Sequence, residues 1–201
     1  MKNNTPESLK KFAEVFATLP GIGPRQAIRL AFYLASRGEG VIKEAATAVE
    51  GLSRAKTCKN CFFVTESDSG ICEICSDKKR DAKTVALIEK ETDLITLEES
   101  QKFKGKYFIL GDLRKKSGLE AFQKARLENF ISRIKKEGGK LSEIIIAVNP
   151  NSVASLNAAQ AADMLKPYTE KISRIGIGIP SGGEIEFADQ ETLGQALERR
   201  T

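Results

Sequence analysis

The chain has 201 residues, 41% of them hydrophobic and 29% charged, with a formal charge of +5 and a pI near 9.0. That length holds one large domain or a few small ones with a real core, and no apolar run approaches the roughly 18 residues a bilayer span needs. Histidine and tryptophan are absent, which excludes Ser-His-Asp triads, imidazole acid–base chemistry and His-ligated metals and leaves little for an aromatic base-stacking platform.

In chain order, four segments are expected within an α/β fold. The first segment, 1–53, reads as helical over residues 6–53. The opening MKNNTPESLKKF has no hydrophobic core of a signal peptide, so a cytoplasmic protein is expected. Leu9, Phe12, Ala13 and Phe16 recur at helical spacing, with Thr5 as N-cap and Pro6 at the first helical position. Leu19-Pro-Gly-Ile-Gly-Pro24 breaks this helix. A second helix from Pro24 to about Ser36 would bury Ala27, Ile28, Ala31 and Leu34 and stop at Gly38. A third, Val41 to Ser53, carries Ile42, Ala45, Val49 and Leu52. Residues 54–80 hold all four cysteines among lysines. Residues 81–175 alternate apolar β-branched runs (85–88, 107–110, 144–148) with helical patterns at about 93–100, 119–137 and 155–166. Such alternation implies a largely parallel sheet covered by helices. Residues 176–201 form a tail: a Gly-rich turn, a short edge strand over Glu184–Asp189, and a helix from Gln190 to Arg200.

Three constellations carry chemistry. Gly21 and Gly23 stand before a helix, where exposed N–H groups and the helix dipole favour phosphate, and Arg25 and Arg29 lie on one face of that helix. The pattern resembles a helix-hairpin-helix motif that grips DNA by its backbone. The bland alternative is a helical turn punctuated by Gly and Pro. Cys58-x2-Cys61 and Cys72-x2-Cys75 are separated by ten residues. Two such knuckles suit one structural Zn²⁺ per chain, closed by four thiolates. The rivals are disulfides, which fit a cytosolic chain poorly, and isolated redox pairs, which usually come singly near a βαβ unit. Zinc with four thiolates would bring the net charge to about +3, so basic residues must be placed locally to count. Lys56, Lys59, Lys78, Lys79 and Arg80 surround the cysteines, as a DNA contact or as a solvated face that offsets thiolate charge.

The third constellation is Glu89 after the first strand, with Asp93 four residues on, and Asn149-Pro-Asn-Ser-Val-Ala-Ser155 after a later strand. The layout resembles the Toprim fold of topoisomerases and primases, where a glutamate and a DPDxEGE-type run hold magnesium. Here Asn149 and Asn151 stand at the aspartate positions, and Val153 and Ser155 at the glutamate positions. Hard cations need carboxylate oxygens, and one or two carboxylates do not readily support two-metal phosphoryl transfer. Asp93 also suits the first turn of its helix, as a cap.

LPGIGPRQAIRLAFYL, the CxxC…CxxC unit, FKGKYFILG, IAVNPNSVASLNAA, RIGIGIPSGGEIEFAD and TLGQALERR resemble, in this order and over nearly the whole chain, the RecR family of recombination mediators. That resemblance implies a DNA-binding, non-enzymatic protein of bacterial recombinational repair. It implies work with RecO-like and RecF-like partners to load RecA on single-stranded DNA, and dimers or tetrameric rings built through the N-terminal helices and the tail. From the residues alone, closure of the last helix onto its own subunit is equally open. The family usually keeps glutamates in the Toprim run, and its acidic patch is linked to RecO docking, so Glu89 and Asp93 are candidate docking residues. Val153 and Ser155 depart from that pattern. Asp189 superficially resembles a Walker B acid, but no GxxxxGK[ST] loop accompanies it. Two other functions compete: a metal-dependent Toprim nuclease, primase or topoisomerase, and a zinc-ribbon scaffold that binds no DNA.

Overall fold

A computed structural model describes residues 5–198 and Arg200. The chain divides after Ala55 into two compact units.

The first unit is three helices: α1 (Glu7–Phe16), α2 (Pro24–Ser36) and α3 (Glu39–Gly51), followed by a 3-10 turn over Leu52–Arg54. The start of α1 differs from expectation. Pro6, in an extended conformation (ψ 144°), occupies the cap position in place of Thr5, and no side chain caps the helix. Gly38, at φ +87°, lies between α2 and α3, a backbone conformation that costs glycine least. The apolar stripes are present, yet among the described residues of this unit only Ala13, Ala27 and Ala31 are buried. Ile28 and Leu34 are half-buried, and α3 buries nothing. Three short helices leave an apolar groove of about 760 Å³ between Phe12, Phe16, Leu30, Leu34, Ile42 and Val49.

The second unit opens with the cysteine module: the antiparallel pair β1 (Lys56–Thr57) and β2 (Val64–Thr65), and α4 (Glu73–Ser76). A parallel four-stranded sheet follows, built from β3 (Thr84–Ile88), β4 (Lys106–Ile109), β5 (Leu141–Ile146) and β6 (Thr169–Arg174), in the order β4-β3-β5-β6. The crossovers are α5 (Glu91–Glu99), α6 (Ala121–Lys136) and α7 (Ser152–Leu165). Alternate strand residues sort into two layers, as the two-residue period of a strand requires. Val85, Leu87, Phe108, Leu110, Ile144 and Ile146 pack on α6 and α7. Ala86, Ile88, Tyr107 and Ile109 face α5 and the cysteine module. The edge strand β4 is covered: the Ile109 N–H donates to the carbonyl of Cys61, 2.9 Å away, and Phe62 packs edge-on against Phe108. Covering an edge removes a template for unwanted strand pairing.

The chain ends in a strand and a helix, but the strand is β6. The segment expected as an edge strand, Glu184–Asp189, instead holds a 3-10 turn at Ile185–Phe187 with both apolar side chains exposed. Among the described residues, no neighbouring strand accepts its backbone. The last helix, α8, spans Gln190–Glu198, so Arg200 lies beyond it and Arg199 is outside the described residues. Asp189 is its cap: its carboxylate accepts from the Thr192 N–H (2.9 Å) and the Thr192 hydroxyl (2.7 Å).

Candidate functional site

The cysteine spacing brings Cys58, Cys61, Cys72 and Cys75 together. Their sulfurs all lie within 4.8 Å of one another, and the first three are buried. A tetrahedron of sulfurs about 2.3 Å from a central Zn²⁺ has edges of about 3.8 Å, so the donor set fits that ion. The four are free thiols, with Cys61 and Cys72 sulfurs 3.5 Å apart, well beyond the roughly 2.05 Å of a disulfide. Backbone N–H groups aim at the sulfurs: Phe63 to Cys61 at 3.4 Å and Cys72 to Cys58 at 3.3 Å. The tight turn after the first knuckle sets Phe62 at φ +67°. Sharing of protons within the cluster shifts the thiols in opposite directions. The hydrogen bond between Cys61 and Cys72 lowers Cys72 and raises Cys61. A divalent cation would replace those shared protons.

The flanking basic residues are unequal. Arg80 is engaged inside the fold, paired with Glu98 and donating to the Gly105 carbonyl at 3.1 Å. Lys56 faces Asp68 at 3.6 Å, and Lys59 donates to the Ser69 carbonyl. Lys78 and Lys79 are exposed. A cation not expected from sequence, Lys106 on β4, donates to the carbonyls of Ile74 (2.7 Å), Cys75 (3.2 Å) and Asp77 (2.6 Å). It neutralises the orphan carbonyls at the end of α4 and ties the module to the sheet.

The second site lies where strand order reverses, between the carboxyl ends of β3 and β5, the crevice in which parallel α/β sheets usually bind ligands. Glu89 leaves β3 there and is 1% exposed. Its Oε1 accepts from the Asn149 backbone N–H at 2.8 Å and from Asn149 Nδ2 at 3.0 Å. Its Oε2 accepts from the Leu113 N–H at 3.4 Å, with Arg114 at 3.9 Å. An amide at position 149 thus satisfies a buried carboxylate. An aspartate there would have repelled it unless a cation sat between them. Asn151 caps α7 by accepting from the Ala154 N–H (2.7 Å). Asp93 accepts from the Lys90 N–H (3.1 Å) at the start of α5. Val153 and Ser155 are half-buried in the first turn of α7. Among the described residues, only the cysteines form a group of three or more candidate metal ligands.

The loop after β4 closes over this crevice. Buried Asn157 donates to the carbonyls of Leu113 and Lys116 (2.8 and 2.7 Å) and accepts from the Gly118 N–H. Buried Gln123 holds the Asp112 carbonyl and the Glu120 N–H. Gln123 had a local signal, as the third residue after the Glu120 cap; Asn157 had none. Arg114 forks onto Asp112 and, with its backbone N–H, holds that carboxyl down to about 2.

In the first unit, Gly21 sits at φ +79°, and Gly23 is the cap residue of α2 with Pro24 at its first position. Neither glycine has any atom within 4 Å of where a Cβ would lie, so the turn faces open space. The Ile22 N–H is bonded to the Leu19 carbonyl, which interrupts the expected run of donors. The N–H groups of Gly23, Arg25 and Gln26 remain at the helix start. Arg25 and Arg29 are exposed, one turn apart.

Comparison with known proteins gives consistent results. A family profile described as "RecR, C-terminal" matches residues 178–201. A recombination protein RecR of Staphylococcus aureus (strain JH9) is 34% identical over 198 residues, covering 98% of each chain. One from Frankia casuarinae is 33% identical over 183 residues, 90% of each chain. At this identity, over nearly the full length of both partners, the chain belongs to the RecR family of recombination proteins.

Proposed function

We propose that this protein is a non-enzymatic mediator of recombinational repair that binds DNA by its phosphate backbone and, with RecO-like and RecF-like partners, helps RecA load onto single-stranded DNA. The near full-length likeness to recombination protein RecR carries this reading. The open turn at Gly21–Pro24 and the exposed Arg25 and Arg29 supply backbone donors and cations suited to phosphate. The four-cysteine cluster holds one structural Zn²⁺, since a site closed by four thiolates leaves no position for substrate. Phosphoryl transfer is excluded from the proposal because the switch-point carboxylate already has hydrogen-bond donors on both oxygens. A RecO-like partner would reach the half-exposed Asp93 in preference to the buried Glu89. Exposed apolar side chains of the helical unit and of the tail, Phe32, Val49, Ile185 and Phe187 among them, are the surfaces for assembly into dimers or rings.

The test is DNA binding by wild type and an Arg25→Ala, Arg29→Ala variant across a salt series. The variant should weaken binding to all sequences alike and shrink the log–log salt slope by about 0.7–0.9 per lost contact. Equal binding by a folded double variant would remove this face from the proposal.

A further inference from the structure

In a parallel sheet, every strand starts at the same end, and every crossover helix finishes there. This geometry collects the segments 81–83, 99–104, 133–140 and 166–170 into one rim at the amino end of the sheet. Backbone bonds confirm the proximity: the Lys83 carbonyl accepts from Ser142, and the Lys104 carbonyl accepts from Asp81, both at 2.9 Å. These segments carry eight cations and four acids, a net of +4 against +5 for the whole chain. The lysines among them are exposed. Lysines that end helices, such as Lys136, are explained by the helix dipole. Lys83, Lys104 and Lys140 precede strands, where no dipole asks for a cation. Two of the four acids are engaged locally: Asp81 accepts from the Lys83 N–H at 2.8 Å, and Glu137 lies 3.8 Å from Arg133.

We propose that this lysine rim is a second phosphate-contact surface, which binds nucleic-acid backbone in addition to the turn around Arg25 and Arg29. The inference rests on the DNA-binding reading above and extends it to the α/β unit. The partner class follows from what the rim lacks. None of the exposed large hydrophobic residues falls in its four segments. A protein interface needs apolar or aromatic anchors at its centre, and membrane insertion needs an apolar face. Exposed point charges without anchors suit a regular array of phosphates.

The experiment uses the full chain carrying Lys83→Gln, Lys104→Gln, Lys136→Gln and Lys140→Gln. Its binding to a fluorescent oligonucleotide of about 30 nucleotides, single-stranded and duplex, is measured from about 50 to about 200 mM salt. Zinc content and circular dichroism should match wild type, because all four side chains are exposed. We expect affinity to fall at least about tenfold at the low-salt end and the log–log slope to shrink by roughly 3. Unchanged affinity and slope, with wild type binding normally, would overturn the rim alone. No binding by wild type would overturn the DNA reading together with it. If polyglutamate binds wild type and loses the variant while DNA does not, the surface serves an acidic protein, and the nucleic-acid assignment fails.

Discussion

Asn149 and Cys72 show how much a single side chain decides. The Asn149 side-chain amide donates to a carboxylate that is 1% exposed, so Asn149→Asp would exchange a donor for a like charge about 3 Å away. This substitution should cost on the order of 3 kcal/mol at neutral pH, read as a lowered midpoint in urea. Millimolar magnesium should relieve part of the loss in the variant and leave wild type unmoved. An equally stable Asn149→Asp protein would show that the amide is not what satisfies Glu89. Cys72→Ser removes one of four sulfurs within 4.8 Å of one another. Elemental analysis should find one zinc per wild-type chain and much less in the variant, with the cysteine module more readily cut by protease. Zinc-free wild type prepared without chelator would refute the assignment.

At the scale of elements, the cysteine module is fastened to the sheet by polar ties as well as by Phe62. Arg80, just past α4, pairs with Glu98 on α5, and Tyr107 on β4 donates to the same carboxylate at 2.6 Å. Burial opposes ionisation of Glu98, but hydrogen bonds from Arg80 and Tyr107 outweigh it and hold the carboxyl below its ordinary value. A depressed folded pKa contributes stability that is present above the unfolded pKa and lost as pH falls through the folded one. Thermal unfolding should therefore show Glu98→Gln destabilised at pH 7, and the gap to wild type closing as pH falls below about 4. A gap that persists in acid would mean that shape, not charge, makes the tie. The strands β3 and β4 were legible in the sequence as apolar β-branched runs. The polar tie of Lys106 to the end of α4 was not, because it joins residues about thirty positions apart.

At the scale of the whole molecule, the two units differ in how well they close. The α/β unit buries Leu87, Phe108, Leu110, Leu127, Ile144 and Leu165 almost completely, whereas the described residues of the helical unit bury three alanines. A unit of some fifty residues with so little core gains by covering its groove. We expect the protein's mass in solution to rise with concentration, and Leu34→Glu or Val49→Glu to shift it toward the monomer, as measured by sedimentation. A concentration-independent monomer for wild type would remove assembly from the proposed function.

The sequence by itself determined the features with short-range causes. Cysteine spacing set the four-cysteine cluster, Gly and Pro set the turn before α2, and apolar patterns set the helices and the β3, β4 and β5 strands to within a few residues. Tertiary structure alone decided the rest. β6 is mostly polar, with Ile172 its lone large apolar residue, and it is a strand because β5 offers hydrogen-bond partners. Glu184–Asp189 alternates well, yet it has no such neighbour among the described residues and holds a 3-10 turn. Glu89 and Asn149 are sixty residues apart, and the lysine rim comes from four separate segments. No local pattern can encode such meetings, because they depend on which strand ends the parallel topology brings side by side.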